Sequence, residues 1–323
     1  MKLLGLSCGR KMGNSEIMLK EALMAAEALG AEVEIIRLID LDIKPCLHCL
    51  QCPWHPKGPK GCIHKDDAPF LWDKIMDCDG LIISSPVYSL TPPALLLNVR
   101  DRILGPKADI AFIDEYKKAG YKDVRFNRQA FVDERIFKPR PGGLISIGGA
   151  PYSDWVTLAI PVLHTLTFSL QVEIVDQIQL IGIGAPGAVL LNEEALEKAK
   201  RLGRNVAKTM GKTRNEMHYL GEEKGICPSC HLNLLVIGEK SGVMCPICGI
   251  KGTLKIENGE ISYFFSEEEK KKSRLTIEGK RIHFYEILDV FRNFEKRMNE
   301  VPEKLKKYES YKPFVVPPSK AKK

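Results

Sequence analysis

Four cysteines, Cys46, Cys49, Cys52 and Cys62, fall in one short stretch, the first three separated by two residues each. Thiolates at that spacing wrap one face of an iron–sulfur cubane, and a more distant fourth closes the far corner. Zinc sites usually present two separated pairs, and a disulfide framework would not crowd three thiols so tightly. The spacing favours an iron–sulfur cluster over zinc or plain reduced thiols, and hence a chain that moves electrons. His55 and His64 lie in the same stretch and can ligate metals. With four thiolates available, solvated loop histidines are the expectation.

A second quartet, Cys227, Cys230, Cys245 and Cys248, forms two Cys-x2-Cys knuckles whose separation suits a hairpin. Tetrahedral thiolate ligation of this kind points to structural zinc. Iron in a rubredoxin-like cage is the alternative, since Cys245 to Gly249 resembles rubredoxin, although His231 stands where the first knuckle would need the matching glycine.

Two further phrases suit an anion and a flat ring. Ser7 to Ser15, glycine-containing and leading straight into a helix, lets the backbone fold around an anion while free helical N–H groups point at it. Arg10 or Lys11 would add charge, and Ser15 a hydroxyl. The stretch has neither a dinucleotide fingerprint nor a P-loop, and a plain N-cap is the alternative. Ser84 to Ser89 ends a later apolar run: Pro86 sets a turn, the Val87–Ser89 backbone can bond a heterocycle edge, and Tyr88 can pack on it. A third turn, Gly148-Gly149-Ala150, follows another run. Ligands of open sheets sit beyond the carboxyl ends of the strands, where all three turns would meet.

The elements that must position these groups alternate strand and helix through the first two hundred residues, which predicts a doubly wound, parallel, five-stranded sheet. Strands are expected at 2–6, 32–39, 80–85, 143–148 and 172–183, and helices at 14–29, 67–78 and 193–210. The stretch 104–141 is too long for an ordinary connection and reads as a lid, an oligomer contact or a small helix. Composition divides the chain into 1–211, a metal module at 212–265 with a hairpin at 252–265, and a basic helical tail at 266–323. That tail has sixteen Lys and Arg against ten Asp and Glu, so it carries most of the formal net charge of +7. It can steer an acidic carrier protein or simply form a solvated face, and nucleic acid is not the expected partner. Its stripe of Ile287, Leu288, Phe291, Phe294 and Met298 reads as packing surface, and the Pro- and Lys-rich end as extended chain. No apolar run is long enough for a membrane helix, and no secretion signal is apparent, so a reducing cytoplasm is expected.

On Arg10 to Ser15, Pro45 to Cys52, Cys62 to Asp67, Ser85 to Tyr88 and Asp101-Arg102, residues 1 to about 210 resemble the flavodoxin-like NAD(P)H:FMN reductase superfamily, and in particular its iron–sulfur flavoprotein branch. The resemblance implies FMN, a [4Fe-4S] cluster on the compact cysteine motif, homo-oligomers, and electron supply by ferredoxin. It places FMN against Ser7, Arg10, Gly13, Asn14, Ser15, Pro86, Val87, Tyr88, Ser89, Gly148 and Gly149. Two departures stand out: Cys8 occupies a usual phosphate-binding serine position, and the Cys52-to-Cys62 gap is longer than usual. No side chain demands an acid/base role, and His164 reads as a core histidine. The expected function is an FMN- and [4Fe-4S]-dependent electron-transfer oxidoreductase. Its rivals are an NAD(P)H-dependent FMN or quinone reductase and a redox-sensing binding module using the metal ribbon and tail.

Overall fold

The computed structural model describes residues 1–103, 108–222 and 224–315. Its centre is a parallel sheet of β1 (Lys2–Ser7), β2 (Glu32–Arg37), β3 (Gly80–Pro86), β6 (Arg140–Ile147) and β7 (Val172–Leu180), in the order β2-β1-β3-β6-β7. All neighbours in it run parallel. This is the doubly wound order 2-1-3-4-5, whose chain reversal lies between the first and third strands. The inner strands are near-continuous apolar runs because helices cover both faces, and all eight residues of β6 are buried. The helices of this region are α1 (Asn14–Glu27), α2 (Ala68–Asp77), α3 (Ala94–Ile103), α4 (Ile110–Lys118), α5 (Ala159–Thr167) and α6 (Glu193–Thr209).

One helix pair fixes the back of the sheet. Helix α6 buries Ala195, Ala199, Leu202, Gly203 and Val206, a stripe at helical spacing, and packs along α1. Gly203 is required at the crossing: a Cβ there would sit 1.8 Å from the carbonyl oxygen of Ala22. Leu3, Met18, Leu19, Ile82, Ile145, Ile178 and Leu202 close the core between them. The effect is to hold the start of α1 rigidly at the sheet's carboxyl edge.

The long connection expected from residue 104 enters the described residues at 108. It contains α4 and a two-residue pair of strands, β4 (Lys122–Asp123) and β5 (Arg128–Gln129). Beyond α6, strands β8 (Val236–Ile237), β9 (Gly242–Met244), β10 (Lys251–Glu257) and β11 (Glu260–Phe264) make an antiparallel sheet in the order β11-β10-β9-β8. The β10–β11 turn places Asn258 and Gly259 at φ 55° and 83°, the two left-handed positions that an Asn-Gly hairpin supplies. Short α7 (Glu267–Lys271) and long α8 (Ile277–Glu295) follow, then α9 (Val301–Ser310).

The chain divides into two compact units, 1–281 and 282–323, so the sheet and the cysteine-knuckle module share the first unit. In the second, Arg297 and Lys304 both pair with Glu300, and Lys306 pairs with Glu303, so part of the tail's positive charge is neutralised locally. Of the expected apolar stripe, Leu288 is buried while Phe294 and Met298 are about half exposed. The Pro- and Lys-rich end lies, from residue 316, outside the described residues. Among the described residues no helix is long and apolar enough to cross a membrane.

Candidate functional site: a cysteine hollow beside a glycine-lined cleft

The loop leaving the carboxyl end of β2 carries Cys46, Cys49, Cys52 and Cys62, and all four line a single hollow of about 130 Å³ together with Leu47, His64, Asp101 and Arg102. A single tetrahedral ion bound at about 2.3 Å would draw four thiolates to within about 3.8 Å of one another. The buried second quartet is drawn together on that scale, whereas these four are brought together as walls of one hollow. The loop curls through His48 and Leu50, at φ 51° and 55°. Left-handed conformations at non-glycine residues persist only where the surroundings enforce them. The histidines separate: His55 Nδ1 accepts a hydrogen bond from the Lys57 amide at 3.0 Å, away from the lining. His64 lines the hollow, and its Nε2 is buried with no partner among the described residues.

A buried ion pair clamps the loop shut. Arg102, from α3, and Asp66 meet with side chains 2% and 0% exposed. Asp66 accepts hydrogen bonds from the Lys44 and Ala68 amides, before the first cysteine and at the start of α2. Arg102 donates to the Lys44 carbonyl and, at 3.6 Å, to Cys62 Sγ. Burial pushes the Asp66 pKa up, but Arg102 and the two amides outweigh it and hold the carboxyl below the ordinary Asp range. Asn98, one turn before Arg102, donates to the Ile43 carbonyl at the loop's entry.

The two unusual insertions explain each other. The segment between Cys52 and Cys62 folds against the connection at 108–141: the Phe131 amide donates to the Pro53 carbonyl at 2.7 Å. Trp54 packs edge-on to Phe126 at 5.0 Å, lies under the Arg128 guanidinium and donates to Asp123. Gly58 sits so close to Phe131 that a Cβ would fall 2.3 Å from the ring. The long connection is therefore a buttress for the enlarged cysteine loop.

Along the same carboxyl edge, between β1, β3 and β6, lies a cleft of about 290 Å³. It is lined by Arg10, Gly13, Asn14, Ser15, Pro86, Val87, Tyr88 and Gly149 of the expected set, together with Gly9, Ile147, Ile183 and Gly184. Helix α1 starts there with no side-chain cap, so its first amides are free to meet an anion. Glycines keep the cleft open. A Cβ on Gly9 would fall 2.5 Å from Ser15 Oγ, and one on Gly149 would fall 3.1 Å from the Cα of Gly184.

Several residues have other duties. Ser7 is fully buried in the sheet beneath the loop, and its Oγ has no partner among the described residues. Burial pushes the Cys8 thiol well above its usual range, so it stays protonated. The Asn14 amide donates to the Ile183 and Ala185 carbonyls and its oxygen accepts from the Val189 amide, tying α1 to the turn after β7. The Val87 and Tyr88 amides donate to Ile147 and Thr91 carbonyls, while Ser89 (φ 48°) and Gly148 lie outside the lining. The Tyr88 side chain is 57% exposed at the rim, and Tyr152 and Trp155, on the loop after β6, are 68% and 56% exposed.

The second quartet is drawn together tightly. Cys227, Cys230, Cys245 and Cys248 are buried with all four sulfurs within 4.8 Å, at 3.3 Å for Cys227–Cys248 and 3.4 Å for Cys230–Cys245. Hydrogen bonds from Cys227, Cys230 and Cys248 push the Cys245 thiol's pKa down, which readies it as a thiolate. This cage has the size of a single ion.

The cage is also wired to the sheet. Gln177 on β7 donates to the Cys230 and His231 carbonyls at 3.2 and 3.0 Å, leaving its Oε1 to accept from His164 Nε2 at 2.9 Å. His164 is therefore the buried core histidine expected, but satisfied on one nitrogen only, since Nδ1 has no partner among the described residues. His231 stacks on Tyr219 at 3.8 Å. Residue types alone did not single out Gln177, nor give Arg102 its place on Cys62. Nothing near either in sequence marks a partner about forty or fifty residues away.

An uncapped helix start and glycine-lined cleft at the reversal point of a 2-1-3-4-5 sheet define a flavodoxin-like flavin-binding protein. The NADPH-dependent FMN reductase family profile matches residues 1–157. A flavone synthase of Aspergillus candidus is 33% identical over 294 residues, which is 89% of this chain and 88% of that protein. The chain belongs to the NADPH-dependent FMN reductase family and is a flavin-dependent oxidoreductase. A solved flavone reductase superposes with a TM-score of 0.76 at 27% identity, over 98% of this chain and all of that one. An iron–sulfur flavoprotein of Methanocaldococcus jannaschii is 36% identical over 103 residues, 32% of this chain and 51% of that protein. The knuckle module and tail thus fall within the span shared with the flavone enzymes.

Proposed function

We propose that the chain is an FMN- and [4Fe-4S]-dependent oxidoreductase that takes electrons singly from a ferredoxin-type carrier. The observation that carries this is the first cysteine quartet: four thiols at the compact spacing of a cluster loop line one hollow. A cubane would take one thiolate per corner from such a hollow, and the unpartnered His64 Nε2 offers it a hydrogen-bonding neighbour. FMN suits the glycine-lined cleft at the same carboxyl edge of the sheet. The α1 amides, Ser15 and Arg10 would hold its phosphate, Pro86, Val87 and Tyr88 would face the ring, and the glycines leave room for both. When bound, FMN exchanges electrons in pairs or singly, whereas a cluster exchanges one at a time. The protein's own work is positional. Arg102 and Asp66 close the cluster loop, the buttress shields it, and Asn14 locks the phosphate loop to the turn after β7. In the tightly drawn knuckles we assign structural zinc.

A second proposal concerns the acceptor. The span shared with a flavone synthase and a flavone reductase, and the exposed aromatic residues Tyr88 in the cleft lining and Tyr152 and Trp155 on the loop after β6, favour direct two-electron exchange with a flat, unsaturated aromatic substrate. Anaerobic purification with metal and flavin analysis, followed by rapid mixing, tests both proposals. About four irons per chain outside the knuckles, with flavin bleached faster by reduced ferredoxin than by NADH or NADPH, is the expected result. Zinc in the first quartet would refute the cluster, and faster bleaching by a nicotinamide would refute the carrier. Reoxidation of the reduced flavin by a flavone would establish the second proposal, and no acceleration over buffer would remove it.

A further inference from the structure

We infer that Arg102 is a positioning residue that sets the electron affinity of the iron–sulfur site, acting on the Cys62 sulfur as a fixed cation balanced by Asp66. The inference rests on the cluster proposed above. Three observations carry it. The guanidinium is buried, so water screens it little, and one of its nitrogens faces Cys62 Sγ at 3.6 Å. Its other contacts, to Asp66 and the Lys44 carbonyl, hold it in place from both ends of the cysteine loop, so it cannot swing away. Asp66 meets the guanidinium itself and is not among the residues lining the hollow, so it acts as the counter-charge of the cation that faces the sulfur.

The chemistry follows from charge alone. Accepting one electron from a one-electron carrier would make the four-thiolate site one charge more negative, with no bond formed or broken and no proton moved. A nearby cation that donates to a ligand sulfur stabilises the reduced form more than the oxidised one. Arginine stays protonated throughout the accessible range, so the bias is constant in pH. Arg102 thereby raises the potential and Asp66 lowers it.

The test uses the full-length chain loaded with iron under anaerobic conditions, with the cluster's EPR signal followed in a redox titration. For Arg102→Gln the ratio of reduced to oxidised cluster, read at the wild-type midpoint, is expected to fall about tenfold or more. For Asp66→Asn the ratio is expected to rise, and Arg102→Lys, which keeps the charge, should stay nearer wild type than Arg102→Gln. Opposite shifts from the two partners of one ion pair are a signature that a merely structural clamp would not give. An unchanged midpoint in iron-replete Arg102→Gln overturns the inference. If that variant cannot hold iron, a midpoint that falls or stays fixed in Asp66→Asn overturns it instead. Wild-type protein that binds no iron in the first quartet would refute the cluster itself, a result separate from either midpoint outcome.

Discussion

Replacing Gln177 with leucine should loosen the knuckle module from the flavin-binding sheet. Gln177 is 4% exposed and serves three partners: the buried Cys230 carbonyl and His164 Nε2, and the partly buried His231 carbonyl. Leucine has similar volume but no polar atoms, so all three partners would lose a hydrogen bond in place. Each buried group left unsatisfied costs about 1–3 kcal/mol. Water entering beside the knuckle would return part of this, leaving about 3 kcal/mol against the closed state. At 1.4 kcal/mol per tenfold, opening of the first knuckle should become about 100-fold more frequent. Hydrogen exchange of the amides from Gly225 to Leu232 reports that opening, and transfer of the knuckle metal to a coloured chelator reports its consequence. Exchange and metal release both unchanged in Gln177→Leu would refute the reasoning. The module would then be energetically independent of the sheet, as its composition alone implied.

Three further outcomes are expected. The Glu16 carboxyl is pushed up by burial but held down at about 2 by Arg37 and Lys20. Its folded pKa is depressed, so its stabilisation is present above about pH 4.5 and is lost as pH falls toward 2. With Arg37 partly exposed this amounts to about 2 kcal/mol, and thermal melts should show Glu16→Gln losing it at pH 7 and converging on wild type in acid. Gly9→Ala places a methyl 2.5 Å from Ser15 Oγ and should weaken FMN binding about tenfold, measured by flavin fluorescence, with the iron content unchanged. Trp54→Ala removes the contacts to Phe126, Arg128 and Asp123, and should speed iron loss from the first quartet severalfold while sparing the knuckle metal.

Both cysteine quartets were legible as candidate metal sites because metal ligation favours particular local spacings, and the alternation of strand and helix was legible because burial on both faces demands apolar runs. Strands β1 and β3 and helices α1, α2 and α6 fall within a few residues of where periodicity placed them. The Asn258-Gly259 hairpin needed only the two left-handed residues that its turn requires. The cleft could be anticipated because its pieces all end strands, and a parallel sheet gathers strand ends at one edge.

What tertiary structure alone decided are the partnerships between distant residues. Arg102 reaches Cys62 and Asp66 from a helix on another layer, and Trp54 meets Phe126 and Asp123 across two insertions that looked unrelated. Asn14, which the resemblance placed against FMN, spends its amide on the turn after β7. Gln177 looked like an ordinary strand residue until the Cys230 and His231 carbonyls arrived beside it. Such pairings follow from how helices and loops pack on a shared sheet. Each side chain's local sequence fixes its reach and chemistry, but only packing decides which buried donor finds which acceptor.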